Sequence, residues 1–283
     1  MRTVIVGLVG SLLGACSPTG FLNSIADTSE THIERDIAYA DGPRRRLDVY
    51  APRAVQGAPI AIFYYGGGWD SGAKESYAFV AAALAAEGIV TIVPDYRIYP
   101  EVRFPDFLID AALAARWAKD NAPAYGADPK RLVLVGHSAG AHIAAMLTLD
   151  RQWLASVRLD AKRDIAGTVG MAGPYDFLPL KSDRLREILG PPEGLAQTQP
   201  ITFADGTAPP MLLMTGKIDF TVGPANSARL AEKITANGGE VKVIVYPWAE
   251  HLLILGAVAR PFRAFAPTLR DTAAFIKERT PTL

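Results

Sequence analysis

The pentad Gly136-His137-Ser138-Ala139-Gly140 directly follows the unbroken apolar run Leu132-Val133-Leu134-Val135. Leucine and β-branched residues without polar alternation read as a strand buried on both faces. The small residues from Ala139 onward read as a helix that packs closely under a sheet. Between the two, the chain must turn sharply. Glycine at either flank permits that turn, because a Cβ there would clash with the neighbouring strand or helix. Such a turn lifts the Ser138 hydroxyl clear of the sheet edge, where another molecule can reach it.

The pattern recurs along the chain. Arg35 to Ala40 and Arg46 to Tyr50 form an expected antiparallel hairpin around Asp41-Gly42-Pro43. Expected strands follow at 59–65, 89–94, 132–135, 167–171, 210–215 and 241–245. Between and after them lie expected helices at 77–87, 107–121, 139–150, 225–237 and 268–278. Apolar strands separated by helices predict an α/β fold: a mostly parallel central sheet with helices on both faces. Ligands of such sheets bind at the carboxyl ends of the strands, and Ser138 lies at one. With 283 residues, 49% of them hydrophobic, the chain suits one globular domain, placed at 35–283. Lys+Arg and Asp+Glu both number 29, and no basic stripe stands out, which argues against a nucleic-acid partner.

A serine on a strand–turn–helix needs a base, and its partners follow in the chain order acid, then histidine. The chain has four histidines. His32 precedes the serine, His137 is inside the turn, and His142 points down into the packing one helical turn on. His251, in Tyr246-Pro247-Trp248-Ala249-Glu250-His251, follows the last strand and can swing over the sheet edge. Asp219 follows the strand before it. Its carboxylate is placed to bind one ring nitrogen and fix the tautomer. Asp205 precedes that strand, at the wrong sheet edge, and Glu250 is adjacent to His251 and cannot easily fold back. Tyr65-Gly66-Gly67-Gly68-Trp69 follows the first long strand, where backbone amides can approach a substrate closely. Gly67, Gly68 and Ala139 are the expected N–H donors to an oxyanion. There is no HExxH, no Cys/His cluster and no phosphate-binding loop, so no metal and no organic cofactor is implied.

Together these residues resemble the esterase branch of the α/β-hydrolase superfamily. That branch includes hormone-sensitive-lipase-like, feruloyl-esterase-like and kynurenine-formamidase-like hydrolases. The glycine motif continues through Ser71-Gly72. Pro94-Asp95-Tyr96-Arg97, Pro100-Glu101 and Phe104-Pro105 are similar to a second motif of that branch. Tyr125-Gly126, Asp128-Pro129 and Arg131 lead into the serine turn as they do there, and Asp219 to Val222 matches its D-x-x-V. The resemblance implies a carboxylesterase that forms an acyl-enzyme on Ser138 and cleaves small to medium esters. An amidase or formamidase with the same triad, or a hydrolase-fold lipoprotein that binds without turnover, are the alternatives. Tyr65 replaces the usual His of the glycine motif, and Tyr99 replaces a small residue of the second. Asp95 and Arg97 are expected to form an internal ion pair. Residues 173–209 are expected to form a small cap, with Trp69, Tyr175 and Phe177 either shaping the substrate pocket or belonging to the core.

The N-terminus reads separately. Met1-Arg2, the apolar stretch Thr3 to Leu13 and the small residues before Cys16 describe a secretory signal over residues 1–15. Leu13-Gly14-Ala15-Cys16 resembles the bacterial lipobox, in which the cysteine is acylated and becomes the mature N-terminus. The expectation is a membrane partner through a lipid anchor on Cys16. Ser17 resembles the outer-membrane sorting rule, which implies a place in the bacterial cell envelope, facing the periplasm. Residues 16–34, with Pro18, Gly20, Asn23 and Ser24, read as a tether.

Overall fold

A computed structural model describes residues 18–281. Cys16 and the signal segment 1–15 lie outside them. The strands are β1 (Thr31–Ala38), β2 (Arg46–Pro52), β3 (Ala58–Tyr64), β4 (Val90–Pro94), β5 (Ala127–His137), β6 (Gly167–Met171), β7 (Met211–Gly216) and β8 (Val241–Tyr246). Among the described residues they make one eight-stranded sheet in the order β1-β2-β4-β3-β5-β6-β7-β8. The β1–β2 and β2–β4 pairs are antiparallel, and every pairing from β4 through β8 is parallel.

The helices are α1 (Pro18–Ser24), α2 (Ala78–Ala86), α3 (Asp106–Asn121), α4 (Ala139–Leu149), α5 (Arg151–Ser156) and α6 (Ala161–Asp164). After them come α7 (Asp183–Leu189), α8 (Ala225–Ala236), α9 (His251–Gly256) and α10 (Thr268–Arg279). β3 is buried along its whole length, as expected of a central strand covered on both faces. α4 is buried throughout, and its small residues explain how closely it sits under the sheet. A Cβ on Gly140 would stand 1.9 Å from the Tyr64 carbonyl oxygen, so the helix can approach β3 only with glycine there.

Two expectations fail. The described part of the segment read as a tether, residues 18–34, is folded: α1 docks through Leu22, which is buried, and β1 already begins at Thr31. Asn23 fixes α1 from both sides. Its Nδ2 donates to the Glu75 carbonyl at 2.7 Å, and its Oδ1 accepts from the Phe79 N–H at 2.9 Å. That N–H is one of the unpaired donors at the start of α2, so the side chain of α1 caps α2. The second failure is the Asp95–Arg97 pair. Arg97 instead binds the buried Asp110 at 2.8 Å, and Asp95 accepts from the Tyr65 hydroxyl at 2.6 Å and the Lys74 N–H at 2.8 Å. Both residues hold loops, but each through a partner from another element.

The small cap is present as α7 and the short 3-10 turns Pro192–Thr198 and Pro200–Phe203. Tyr99 explains its own departure from the motif. Its hydroxyl donates to Glu187 at 2.9 Å, and the Arg184 guanidinium lies 4.5 Å from its ring centre, so it pins α7.

Candidate active site

The turn after β5 puts Ser138 at φ 54°, ψ −121°, a conformation rare for a residue with a side chain. The Ser138 N–H donates to the Met171 carbonyl of β6 at 2.8 Å, which holds the turn over the sheet edge. Ser138 is half-buried. Its Oγ lies 2.9 Å from His251 Nε2.

His251 is the first residue of α9, not a loop residue. Glu250 caps that helix by accepting from the Leu252 and Leu253 N–H groups at 3.0 and 2.6 Å. The neighbour set aside as a triad acid is therefore the residue that orients the histidine's helix. His251 Nδ1 lies 2.8 Å from Asp219 Oδ2. The other carboxylate oxygen of Asp219 accepts from the Thr221 and Val222 N–H groups at 2.9 and 2.8 Å. Asp219 is thus buried and aimed. A carboxylate can only accept, so Nδ1 carries the proton and Nε2 is free to accept from the serine hydroxyl. The loops bearing the acid and the base are themselves joined, since the Lys217 N–H donates to the Tyr246 carbonyl at 2.9 Å.

The other three histidines take no part in the Ser138–His251–Asp219 side-chain bonds. His32 is exposed on β1. His142 is fully buried and donates from Nε2 to the Thr198 carbonyl at 2.8 Å, tying α4 to the cap. His137 donates from Nε2 to the His251 carbonyl at 3.0 Å. Burial lowers the pKa of both His137 and His142 to about 4, and the nearby His251 ring adds to the effect on His137. Asp205 is exposed and pairs with Arg151.

Gly67 and Gly68 adopt φ 130° and 58° and face the same cavity as Ser138. A Cβ on Gly67 would stand 2.2 Å from the Ser71 carbonyl oxygen. Among the described residues, the N–H groups of Gly67, Gly68 and Ala139 have no hydrogen-bond acceptor. Ala139 N–H is the first of α4, where the helix end favours negative charge.

The cavity over Ser138 measures about 540 Å³. Its apolar walls are Phe21 and Leu22 of α1, Tyr77 and Phe79, Leu252 and Leu255 of α9, and Phe262. The three residues expected to shape a pocket do not line it. Tyr175 and Trp69 are buried in the core, and Phe177 stacks on Trp69 with ring centres 6.1 Å apart. Phe177, from the cap segment, thus packs against Trp69 at the end of the glycine loop. What sequence reading missed was the wall itself. Its only signals were the Phe21-Leu22 pair in a polar stretch and the run Leu252 to Leu255 just after His251.

The family profile named BD-FAE matches residues 47–234, most of the chain. The chain belongs to the BD-FAE family. Among curated relatives, it is 30% identical over 239 residues to "Probable isoprenylcysteine alpha-carbonyl methylesterase ICMEL1" of Oryza sativa subsp. japonica, covering 77% of this chain and 56% of that protein. It is 29% identical over 265 residues to "Esterase LipC" of Mycobacterium tuberculosis, covering 86% of this chain and 64% of that one. This BD-FAE chain thus spans somewhat more than half the length of those relatives. Among solved structures, a truncated carbohydrate esterase from gut microbiota superposes with a TM-score of 0.80 at 21% identity. That match covers 91% of this chain and 99% of the other. EstE1, a thermophilic carboxylesterase from a metagenomic library, gives 0.79 at 21% identity, covering 93% and 94%. At that identity the structures speak to the fold, which is the α/β-hydrolase fold.

Proposed function

We propose that the protein is a serine carboxylesterase acting through an acyl-enzyme on Ser138. The observation that carries this reading is the continuous bond chain Ser138–His251–Asp219, with distances of 2.9 and 2.8 Å. His251 Nε2 takes the serine proton as Oγ attacks the ester carbonyl. Asp219 keeps the imidazole in its working tautomer and stabilises its charged form. The N–H groups of Gly67, Gly68 and Ala139 hold the oxyanion. The alcohol leaves with the proton from His251, and water then hydrolyses the acyl-enzyme by the same relay. The names of the relatives, which include methylesterase and esterase, support an ester over an amide as substrate. The apolar cavity suits an acyl group of small to medium size.

The N-terminal reading belongs to the same proposal. Residues 1–15 are a signal that is removed, and Cys16 carries the lipid that anchors the enzyme in the cell envelope. The lipobox-like Leu13-Gly14-Ala15-Cys16 supports this.

The test is hydrolysis of p-nitrophenyl esters from acetate to palmitate by the full chain and its variants. Ser138→Ala and His251→Ala should each lose several orders of magnitude, and Asp219→Asn about 10⁴-fold. Undiminished turnover in either alanine variant would sink the assignment.

A further inference from the structure

The N-terminal segment ties the anchor to the cavity. Pro18, Phe21 and Leu22 stand on the cavity wall. Cys16 stands two positions before Pro18 in the chain. Two residues of chain span at most about 7 Å, so a lipid anchor at Cys16 reaches no farther than that from Pro18. An enzyme held by that residue keeps its opening close to the headgroups.

The surface around the opening has the character such a position calls for. Phe21 is 50% exposed, Leu252 64%, Trp248 76% and Phe220 96%. Phe21 and Leu252 also face the cavity. Phe220 sits between Asp219 and Thr221, and Thr221 is on the cavity wall. Trp248 lies three residues before His251. The loops that bear Phe220 and Trp248 are joined by the Ile218 N–H to Ala249 carbonyl bond at 3.4 Å. Phe21 and Leu252 thus border the opening, and Phe220 and Trp248 are carried on the two joined loops that bear Asp219 and His251. Soluble surfaces carry such residues singly, whereas Trp, Phe and Leu grouped on one face are the composition of a membrane-interface surface.

The geometry points to a cavity mouth that rests on the bilayer holding the anchor, and to an amphiphilic carboxylic ester resident in that bilayer as substrate. The inference rests on the esterase reading of Ser138. An acyl chain passes from the bilayer into the apolar cavity without crossing water. A water-soluble ester still reaches Ser138, but without the local concentration the bilayer provides.

The test uses the full lipidated protein in phosphatidylcholine vesicles, beside a Phe220→Ser/Trp248→Ser double variant. Neither substituted residue lines the cavity. Two substrates are compared: soluble p-nitrophenyl butyrate, and 4-methylumbelliferyl octanoate dissolved in the vesicles. Butyrate rates should agree within about twofold, while the vesicle-borne ester should slow about tenfold or more in the variant. Brominated phosphatidylcholine should quench tryptophan fluorescence in the parent, and the variant should lose that quenching. Equal rates on the vesicle ester, with no quenching in the parent, would overturn the inference. If the folded parent fails on soluble butyrate, the esterase reading falls instead, and quenching still reports which face meets the lipid.

Discussion

Tyr65 stands where the family motif has histidine, and its surroundings say what it does. Its ring stacks between Tyr77 and Tyr96, with centres 5.1 and 4.7 Å away. Its hydroxyl donates to Asp95 at 2.6 Å and accepts from Arg44 at 2.9 Å. Burial raises the Asp95 pKa, and the Tyr65 and Lys74 donors work against that rise. The tyrosine therefore anchors the end of β3 from which the glycine loop departs, and it does so by satisfying a buried carboxyl. Tyr65→Phe removes a donor from that carboxyl and leaves the ring packing intact. The expected loss is about 1–3 kcal/mol of unfolding free energy, read from urea titrations. Turnover should fall by less than about tenfold, since the oxyanion donors are backbone groups. An unchanged urea midpoint would remove Tyr65 from this role.

At the scale of elements, α1 shows where sequence reading stops. Seven residues cannot hold a helix alone, because nucleation outweighs the few bonds gained. Local composition, with Pro18, Gly20 and Ser24, reads as a linker for that reason. The helix exists because Asn23 clamps it to the start of α2 and Leu22 is buried. Asn23→Ala removes both hydrogen bonds and uncaps Phe79 N–H. Cap losses run to about 1 kcal/mol. Loosening one wall of the cavity should raise KM for longer acyl chains more than it lowers kcat. Steady-state kinetics across the ester series checks this, and a uniform fall in kcat at constant KM would refute it. The contrast with β3 and β5 is physical. Central strands declare themselves by continuous apolar runs such as Leu132 to Val135, and the serine turn and the order of acid and base follow from the strands. Wall residues carry no such mark. Trp69 and Leu252 are both large and apolar, and only the assembled fold makes one core and the other cavity lining. Asp95 and Arg97 fail as a pair for a related reason: their partners, Tyr65 and Asp110, come from other elements.

For the molecule as a whole, the two buried histidines set its response to acid. Both sit in the folded state with pKa lowered to about 4 from the ordinary 6.5, chiefly by burial. Above pH 6.5 neither state binds these protons, and stability does not depend on them. Between 6.5 and about 4 the unfolded chain takes up protons that the folded chain refuses, so stability falls as pH falls. Each histidine can withdraw about 3 kcal/mol over that window, against a total of about 5–15 for a typical domain. Asp95 acts in the opposite sense, because its raised pKa lets the folded state accept a proton first. Urea midpoints should therefore drop steeply from pH 7 to pH 4.5. His142→Gln can still donate to the Thr198 carbonyl but cannot gain charge, so its midpoint should change about half as much over that range. A midpoint in the parent that stays level across the window would show that the buried imidazoles are protonated at no cost to the fold.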